Sequence, residues 1–241
     1  MKILIMGLLS ISLLSSTAQT TINKTYPIKP GQKIDLAFDY PNKIKVSTWD
    51  KNEIAITGKV SINDGENDAA FILEDQTIDG NIQIKNKIVG LADIPKRYIV
   101  YENGVKKVFR TKESYNEYRA KTSLQNYYST QTDMDIQLEI KVPANTETTL
   151  NAIYGIVELI DFNGPMNLNA KYGGIDASIK SATLGKLTAT TGYGQIFSNL
   201  NLQPTSLTDK NFFTSITAEP GKGPTYKLES TYGNVYLRKS N

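Results

Sequence analysis

The chain has 241 residues, with 27 Lys and Arg against 24 Asp and Glu, and it contains neither Cys nor His. A formal net charge of +3 gives no reason to expect nucleic-acid binding. Without Cys or His, the chain cannot form a disulfide framework, a Ser-His-Asp or Cys-His catalytic unit, or a His-ligated zinc site.

Residues 1–18 have the pattern of a signal peptide. Lys2 is followed by an apolar run over residues 3–14 and by small residues that end at Ala18. The run is shorter than the roughly 20 residues that span a bilayer, although an uncleaved anchor is the alternative. We expect cleavage after Ala18 and a mature domain over residues 19–241 with no transmembrane segment. Its location would be the periplasm, the outer-membrane surface or the extracellular space.

Alternation of apolar and polar residues predicts strands in the first part of the mature chain. It is clearest over residues 33–39, 43–49 and 53–62, and two shorter strands are expected near residues 71–73 and 80–85. This periodicity of two is typical of half-buried strands, so the region should form sheet rather than helix.

An acidic loop at residues 63–68 interrupts these strands. It reads Asn-Asp-Gly-Glu-Asn-Asp, which is similar to a calcium loop but lacks the full ligand register. We expect a solvated loop, and a cation site is the alternative.

Residues 91–133 break the strand pattern and are interpreted as an insertion. Asn103-Gly104 lies between two strand-like runs, which predicts a β-hairpin, and residues 111–130 are either a short helix or a loop. Basic and aromatic residues are interleaved here, a combination that suits acidic glycans, lipid head groups or an acidic protein. The insertion is therefore a candidate partner surface, and the alternative is a charged hairpin that covers the flank of the domain. The candidate residues are Lys96, Arg97, Tyr98, Tyr101, Lys106, Lys107 and Arg110.

A Tyr-Gly pair returns through the second half of the chain. It occurs at Tyr154, Tyr172, Tyr193 and Tyr232, with spacings of 18, 21 and 39 residues, and 39 is about twice the unit. A degenerate copy is expected near Phe213, where the aromatic residue is kept and the glycine is lost. A period of about 20 residues is typical of a solenoid. The predicted fold is an all-β, single-stranded parallel β-helix (β-solenoid) with coils of about 20 residues.

The repeat suggests reasons for its glycines and tyrosines. A positive φ at a tight turn would explain the glycine after each tyrosine. Packing alone is a sufficient reason for a stack of aromatic rings, because each pair can contribute roughly 0.5–1.5 kcal/mol. The alternative is that the rings lie on the outer face and bind a sugar chain or a protein. The expected ladder, in chain order, is Tyr154, Tyr172, Tyr193, Phe213 and Tyr232.

Three features occur in a familiar order: an early segment Ile-Lys-Val-Ser-Thr-Trp-Asp-Lys-Asn-Glu-Ile-Ala-Ile (44–56), a strand that ends in Val-Pro-Ala-Asn (142–145), and the Tyr-Gly repeats. This order resembles the bacterial putative-adhesin family of β-helical envelope domains, many of them from Bacteroidetes-type bacteria. The similarity covers about residues 31–238, with residues 91–133 outside it. The resemblance implies a right-handed type of parallel β-helix in the cell envelope. The function of the family is unestablished, and it supplies no catalytic or binding residues.

Three classes of function are compatible with this sequence. The preferred one is a non-enzymatic, adhesin-like envelope module that binds polysaccharide or an envelope protein, without catalytic residues, cofactor, metal or nucleic acid. The second is a regulatory or scaffold partner in envelope-stress signalling that docks through the insertion. The third is a polysaccharide-processing enzyme, which would need paired carboxylates roughly 5–10 Å apart. Its candidates are Asp133 with Asp135 and Asp161 with Asp176, each equally a solvated residue. The oligomeric state is left open.

Overall fold

Strands dominate the fold because apolar and polar residues alternate along the chain. In the strand Ile34–Phe38, the side chains of Ile34, Leu36 and Phe38 are fully buried, whereas the residues between them are half-buried or exposed. The computed structural model describes residues 19–122, 128–180 and 183–240. The expected signal peptide and its cleavage position after Ala18 lie outside or at the border of the described residues.

Within the described residues there are twenty strands, one α-helix and two short 3₁₀ helices. The first six strands are β1 (Thr20–Pro27), β2 (Ile34–Phe38), β3 (Lys43–Trp49), β4 (Glu53–Ile62), β5 (Phe71–Ile78) and β6 (Asn81–Ile88), with a 3₁₀ helix at Asp68–Ala70. The insertion contains a 3₁₀ helix at Leu91–Asp93, then β7 (Arg97–Glu102), β8 (Val105–Phe109), α1 (Lys112–Ala120) and β9 (Ser129–Gln131). The next five are β10 (Met134–Pro143), β11 (Thr148–Tyr154), β12 (Ile156–Ile160), β13 (Met166–Tyr172) and β14 (Ile175–Ile179). The last six are β15 (Lys186–Thr191), β16 (Ile196–Ser198), β17 (Pro204–Lys210), β18 (Phe213–Ala218), β19 (Thr225–Ser230) and β20 (Val235–Lys239).

These strands form two large mixed sheets and one small sheet. Sheet I has eight strands in the order β1-β4-β10-β3-β12-β14-β20-β16. Sheet II has nine in the order β17-β18-β15-β19-β13-β11-β2-β6-β5, and sheet III has three in the order β8-β7-β9. Both large sheets begin and end on different strands, so neither closes into a barrel within the described residues. The all-β class expected from the sequence is confirmed.

Five pairs of consecutive strands connect the two large sheets. In β2–β3, β11–β12, β13–β14, β15–β16 and β19–β20, the first strand lies in sheet II and the second in sheet I. Neighbouring pairs are parallel and in register, so equivalent apolar residues lie side by side and build the core between the sheets. In sheet I this row is Ile44, Val157, Ile175, Val235 and Ile196. In sheet II it is Leu36, Leu150, Leu168, Leu228 and Ala189.

The pairs are not stacked in chain order. The last pair in the sequence, β19–β20, lies between β13–β14 and β15–β16 in both sheets. Residues 204–218, where a degenerate repeat was expected around Phe213, form the antiparallel strands β17 and β18 instead. They extend sheet II beyond β15, whereas sheet I ends at β16. The expectation of coils stacked in sequence order was therefore wrong for the C-terminal part of the chain.

The insertion contains sheet III and the helix α1. The hairpin predicted from Asn103-Gly104 is confirmed, because β7 and β8 are antiparallel and both turn residues have positive φ, 49° and 79°. Of the two alternatives for the following residues, the helix is present over Lys112–Ala120. It begins at Thr111, whose hydroxyl accepts a hydrogen bond from the Ser114 backbone N–H at 3.2 Å.

Candidate functional site

A ladder of aromatic rings lines the turns that lead from sheet II into sheet I. Its ring centroids are 5.4 Å apart for Tyr154–Tyr172, 5.1 Å for Tyr172–Tyr232 and 5.0 Å for Tyr232–Tyr193. Phe212 continues the stack at 6.0 Å from Tyr193. We call these five residues the aromatic ladder. All five side chains are exposed to solvent, from 48% for Tyr172 to 79% for Phe212.

The observed ladder differs from the expected one in two ways. Tyr232 lies between Tyr172 and Tyr193, because β19–β20 lies between the strand pairs that carry these two tyrosines. Phe213 is not the residue that stacks on Tyr193; it begins β18, pairs with Lys210 of β17, and the neighbouring Phe212 takes its place. The four tyrosines come together as expected, and the fifth ring is one residue away from the expected position.

The glycines beside the tyrosines are needed for close approach of the stacked turns. A Cβ on Gly173 would overlap the carbonyl oxygen of Gly155, one on Gly233 would overlap that of Gly173, and one on Gly194 would overlap that of Gly233. Of these four glycines only Gly155 has a positive φ, at 79°. The expected reason, a positive φ at every turn, was therefore wrong for three of them. Stacked backbones leave no space for a side chain.

The rings of the aromatic ladder cover each other's faces. Their interplanar angles are between 6° and 23°, which is close to parallel stacking. Each of the inner rings Tyr172, Tyr232 and Tyr193 therefore has a neighbour on both faces, and it offers solvent its edge and its phenol hydroxyl. Within the ladder, a ring face without a stacked neighbour is found at the two ends.

The basic residues of the insertion are largely used within the chain. Arg97 is buried and its guanidinium contacts the Glu66 carboxylate at 2.6 Å, and Arg110 contacts the same carboxylate at 2.5 Å. Lys106 pairs with Asp133. These three of the seven candidate residues therefore have acidic partners within the chain, and the two arginines bind the insertion to the acidic loop 63–68.

Lys107 belongs to a second local network, with Glu102 and Tyr118. The hydrogen bond from Lys107 and a further one from the Tyr118 hydroxyl hold the pKa of Glu102 below its ordinary value. The pKa of Lys107 is raised by the hydrogen bonds that its ammonium donates to Glu102 and to the Tyr118 hydroxyl. Both charged forms are therefore stabilised across the neutral pH range. The network ties α1 to the hairpin of β7 and β8.

The tyrosines of the candidate surface have different environments. The ring of Tyr98 packs on Tyr115 at 6.2 Å and on Tyr128 at 5.4 Å, in a small aromatic cluster beneath α1. Tyr101, by contrast, is 66% exposed near the tip of the hairpin. Lys96 is also exposed. Four of the seven predicted residues are exposed, Lys96, Tyr101, Lys106 and Arg110, and Lys106 and Arg110 also form the ion pairs described above.

The acidic loop 63–68 anchors other segments rather than standing free in solvent. Asn63 and Asp68 are buried. The Asp68 carboxylate accepts hydrogen bonds from the backbone N–H groups of Ile62, at 2.6 Å, and Thr20, at 3.2 Å. The Asn63 side chain donates to the Pro95 carbonyl at 2.8 Å and accepts from the Asp133 N–H at 3.1 Å. The loop therefore joins the N-terminal strand, the insertion and β10.

The carboxylates that were candidates for catalysis each have a local partner. Asp133 pairs with Lys106, and Asp135 accepts a hydrogen bond from Gln137 at 3.2 Å. Asp161 accepts from the Ser240 hydroxyl, and Asp176 binds the Arg238 guanidinium at 2.7 Å. Among the described residues, no group of three or more acidic side chains is placed to hold a metal ion.

Two exposed aromatic residues, Phe197 and Phe212, were not predicted from the sequence. Phe197 of β16 stacks on Tyr236 of β20 on the outer face of sheet I, with centroids 5.1 Å apart. Phe212 occupies the two-residue turn between β17 and β18, where the residue pair Asn211-Phe212 gave no hairpin signal because its second position is not glycine. The repeat period of about 20 residues does not predict either stacking position, because each stacking partner is set by the order of the strands in the sheets.

Comparison with known proteins gives a likeness in fold. No protein-family model and no curated protein matches the sequence. A structure described as a putative cell adhesion protein from Clostridium sporogenes ATCC 15579 has a TM-score of 0.50 at 10% identity, over 92% of this chain and 100% of that chain. A putative adhesin from Bacteroides fragilis NCTC 9343 has a TM-score of 0.23 at 12% identity, over 92% and 98% of the two chains. The first likeness agrees with the family resemblance at the level of the fold.

The described residues contain no helix that combines the length and the hydropathy needed to cross a membrane.

Proposed function

We propose that this protein is an exported, non-enzymatic and adhesin-like module of the cell envelope that binds polysaccharide. The observation that carries the proposal is the aromatic ladder, five stacked rings that remain about half or more exposed. A packing role alone does not require so much apolar surface in water. Exposed aromatic rows of this kind are typical of binding surfaces.

The scaffold suits an extended ligand. We propose that the five parallel strand pairs form a β-solenoid. Its stacking order differs from the chain order because β19–β20 lies between β13–β14 and β15–β16. Such stacks present equivalent side chains at the spacing of neighbouring strands, about 4.8 Å. A polymer that lies along the ladder would meet the same ring edge and the same hydroxyl at each step. The structure described as a putative cell adhesion protein from Clostridium sporogenes supports the adhesin-like role rather than the solenoid, through a likeness in fold that covers the whole of its length.

The chemistry of the inner ladder favours hydrogen bonds to sugar hydroxyls. The faces of Tyr172, Tyr232 and Tyr193 are covered, whereas their phenol groups can both donate and accept hydrogen bonds. A polysaccharide offers hydroxyls of the same dual character along its length. We therefore assign the inner tyrosines to hydrogen bonding along a glycan chain.

The proposal can be tested with a glycan array probed by residues 19–241 and by the variant Tyr172→Ala. We expect the unmodified protein to bind a subset of glycans and Tyr172→Ala to lose at least tenfold in affinity. Tyr172→Phe is the second variant, because it keeps the stacking and removes only the hydroxyl. It should retain its melting temperature and still bind more weakly.

The matched control is Tyr101→Ala, which removes an exposed tyrosine from the insertion and leaves the ladder intact. Its glycan binding should equal that of the unmodified protein. Absence of binding to every glycan, or full binding by both Tyr172 variants, would exclude polysaccharide recognition by the ladder.

An envelope protein is the second candidate ligand, bound through the hairpin of the insertion. The observation in its favour is that Tyr101 and Val105, which flank the turn, are 66% and 60% exposed. Capture of one envelope protein from an extract, lost in Tyr101→Ala and kept in Tyr172→Ala, would favour this regulatory or scaffold role over glycan binding.

A further inference from the structure

The aromatic ladder and the Phe197–Tyr236 stack end at the same place in the fold. The ladder ends at Phe212 in the turn between β17 and β18. The second stack ends at Phe197 on β16, the last strand of sheet I. A ring at the end of a stack keeps one free face, so two free aromatic faces occur at this end of the molecule. The Arg238 guanidinium lies over the Tyr236 ring, with its central carbon 5.1 Å from the ring centroid.

A cleft opens between Phe212, the end of the aromatic ladder, and Phe197, the end of the second stack. It has a volume of about 840 Å³ and lies between the edge strand β16 and the overhanging hairpin of β17 and β18. Tyr193, Phe197 and Phe212 supply its aromatic wall, and Gln195, Asp209 and Asn234 supply its polar groups. A volume of this size lies within the range of ligand-binding clefts.

Phe212 has a backbone conformation that its own packing does not explain. Asn211 and Phe212 have φ of 50° and 67°, the left-handed region that a two-residue hairpin turn requires at both positions. Asn-Gly is the favoured pair for this turn, and a bulky residue at the second position is strained. The side chain is also 79% exposed, so burial does not offset the strain. Strain held at an exposed residue points to a role in binding.

The polar groups of the cleft are held in place. The Thr214 hydroxyl donates to Asp209 Oδ1 at 3.2 Å, which orients the carboxylate. Asn234 Oδ1 accepts from the Gln195 N–H at 2.9 Å, and its Nδ2 donates to the Tyr236 hydroxyl at 3.2 Å. A carboxylate with a fixed orientation is a strong acceptor for ligand hydroxyls.

We propose that this cleft binds one end, or a short segment, of a saccharide chain, and this inference rests on the proposed polysaccharide binding. The C–H face of a pyranose ring carries partial positive charge, which complements the negative face of Phe212 or Phe197. The equatorial hydroxyls of the same ring reach Asp209 and Gln195. An extended peptide fits less well, because β16 has only three residues with which a further strand could pair.

The test is isothermal titration of residues 19–241 with maltohexaose, cellohexaose and N-acetylchitohexaose. The decisive variant is Phe212→Gly, which restores the favoured Asn-Gly turn. We expect it to unfold at a higher urea concentration than the unmodified protein and to bind the preferred hexasaccharide at least tenfold more weakly. A merely structural role for Phe212 does not predict this combination.

Two further variants complete the test. Asp209→Asn should weaken binding severalfold, and Phe213→Ala, which removes the exposed neighbouring ring outside the cleft, should bind within twofold of the unmodified protein. Equal affinity in Phe212→Gly overturns the cleft proposal; if Tyr172→Ala then still loses binding, the ladder remains the glycan site. No binding of any hexasaccharide by the unmodified protein, together with a negative glycan array, overturns both.

Discussion

Two different physical reasons require glycine in this chain. Gly31 has a φ of 83° and no atom within 4 Å of the position that a Cβ would take, so its backbone conformation is the reason. Gly173 has no such φ, and its Cβ position is occupied by the carbonyl of Gly155 in the next turn of the stack. Gly31 is therefore required by its own backbone conformation, and Gly173 by the close approach of the neighbouring turn.

The two reasons predict different costs of substitution. Gly173→Ala forces two stacked turns apart, and we expect a loss of about 3 kcal/mol or more in the free energy of unfolding. Gly31→Ala is the control and should cost about 1 kcal/mol, since only a strained φ is involved. Urea denaturation of both variants gives the comparison. Equal costs would mean that the stacked turns can separate without loss.

The sequence identified the right residues here and suggested the wrong reason for some of them. The spacing of Tyr154, Tyr172, Tyr193 and Tyr232 was enough to bring four rings together. It could not distinguish a glycine needed for its φ from one needed for close approach, because the second depends on the distance to another turn. That distance is set by the fold and is not encoded in a local pattern.

At the scale of elements, the insertion is docked through one carboxylate. The Glu66 carboxylate in the acidic loop forms ion pairs with two arginines. The side chain of Arg97 is 5% exposed, and that of Arg110 is 71% exposed. An exposed ion pair contributes little, whereas removal of the partner of a buried charge leaves that charge uncompensated. The two arginines therefore contribute unequally.

We expect Glu66→Gln to destabilise the protein by about 3 kcal/mol, because it leaves the Arg97 guanidinium buried without its counter-charge. Arg110→Ala should change the free energy of unfolding by less than about 0.5 kcal/mol. Urea denaturation measures both, and limited proteolysis shows whether cleavage begins in the insertion. A neutral Glu66→Gln would mean that Arg97 is satisfied by other contacts.

In the insertion, the features with a local cause were predicted from the sequence, and the features that depend on distant residues were not. The hairpin at Asn103-Gly104 was predicted because its signal lies within two residues. The pairing of Arg97 with Glu66 and of Lys106 with Asp133 spans about 30 residues, so charge composition alone could not decide between a partner surface and a charged hairpin that covers the flank of the domain. Ion pairs within the chain bury Arg97 and give Lys106 and Arg110 acidic partners, although these two remain exposed.

At the scale of the whole molecule, the strand pair β19–β20, which comes last among the described strands, lies inside both large sheets. In a solenoid stacked in chain order, the last repeat would be an end coil that could be trimmed. Here β19 separates β13 from β15, and β20 separates β14 from β16. The interval of 39 residues between Tyr193 and Tyr232 was compatible with an extra coil, and the sequence did not reveal that it contains an edge hairpin instead.

We expect removal of residues 224–241 to abolish cooperative unfolding, because both large sheets lose a central strand. The control is replacement of residues 204–218, the edge hairpin of β17 and β18, by a short Gly-Ser linker; that variant should fold with reduced stability. Far-UV circular dichroism and urea denaturation distinguish the two. A truncated chain that still unfolds cooperatively would show that β13–β14 and β15–β16 can pair directly.

The central place of β19–β20 also sets the time at which the chain can fold. A ribosome delivers these residues after β13–β14 and β15–β16, and until they arrive the two earlier pairs lack the neighbour that joins them. Sheets that depend on such distant pairing form slowly and late. The two sheets can therefore close only after β20 has been released. For the export that we propose, this order means that the polypeptide can cross the membrane before its sheets close, in the extended state that a translocon can thread.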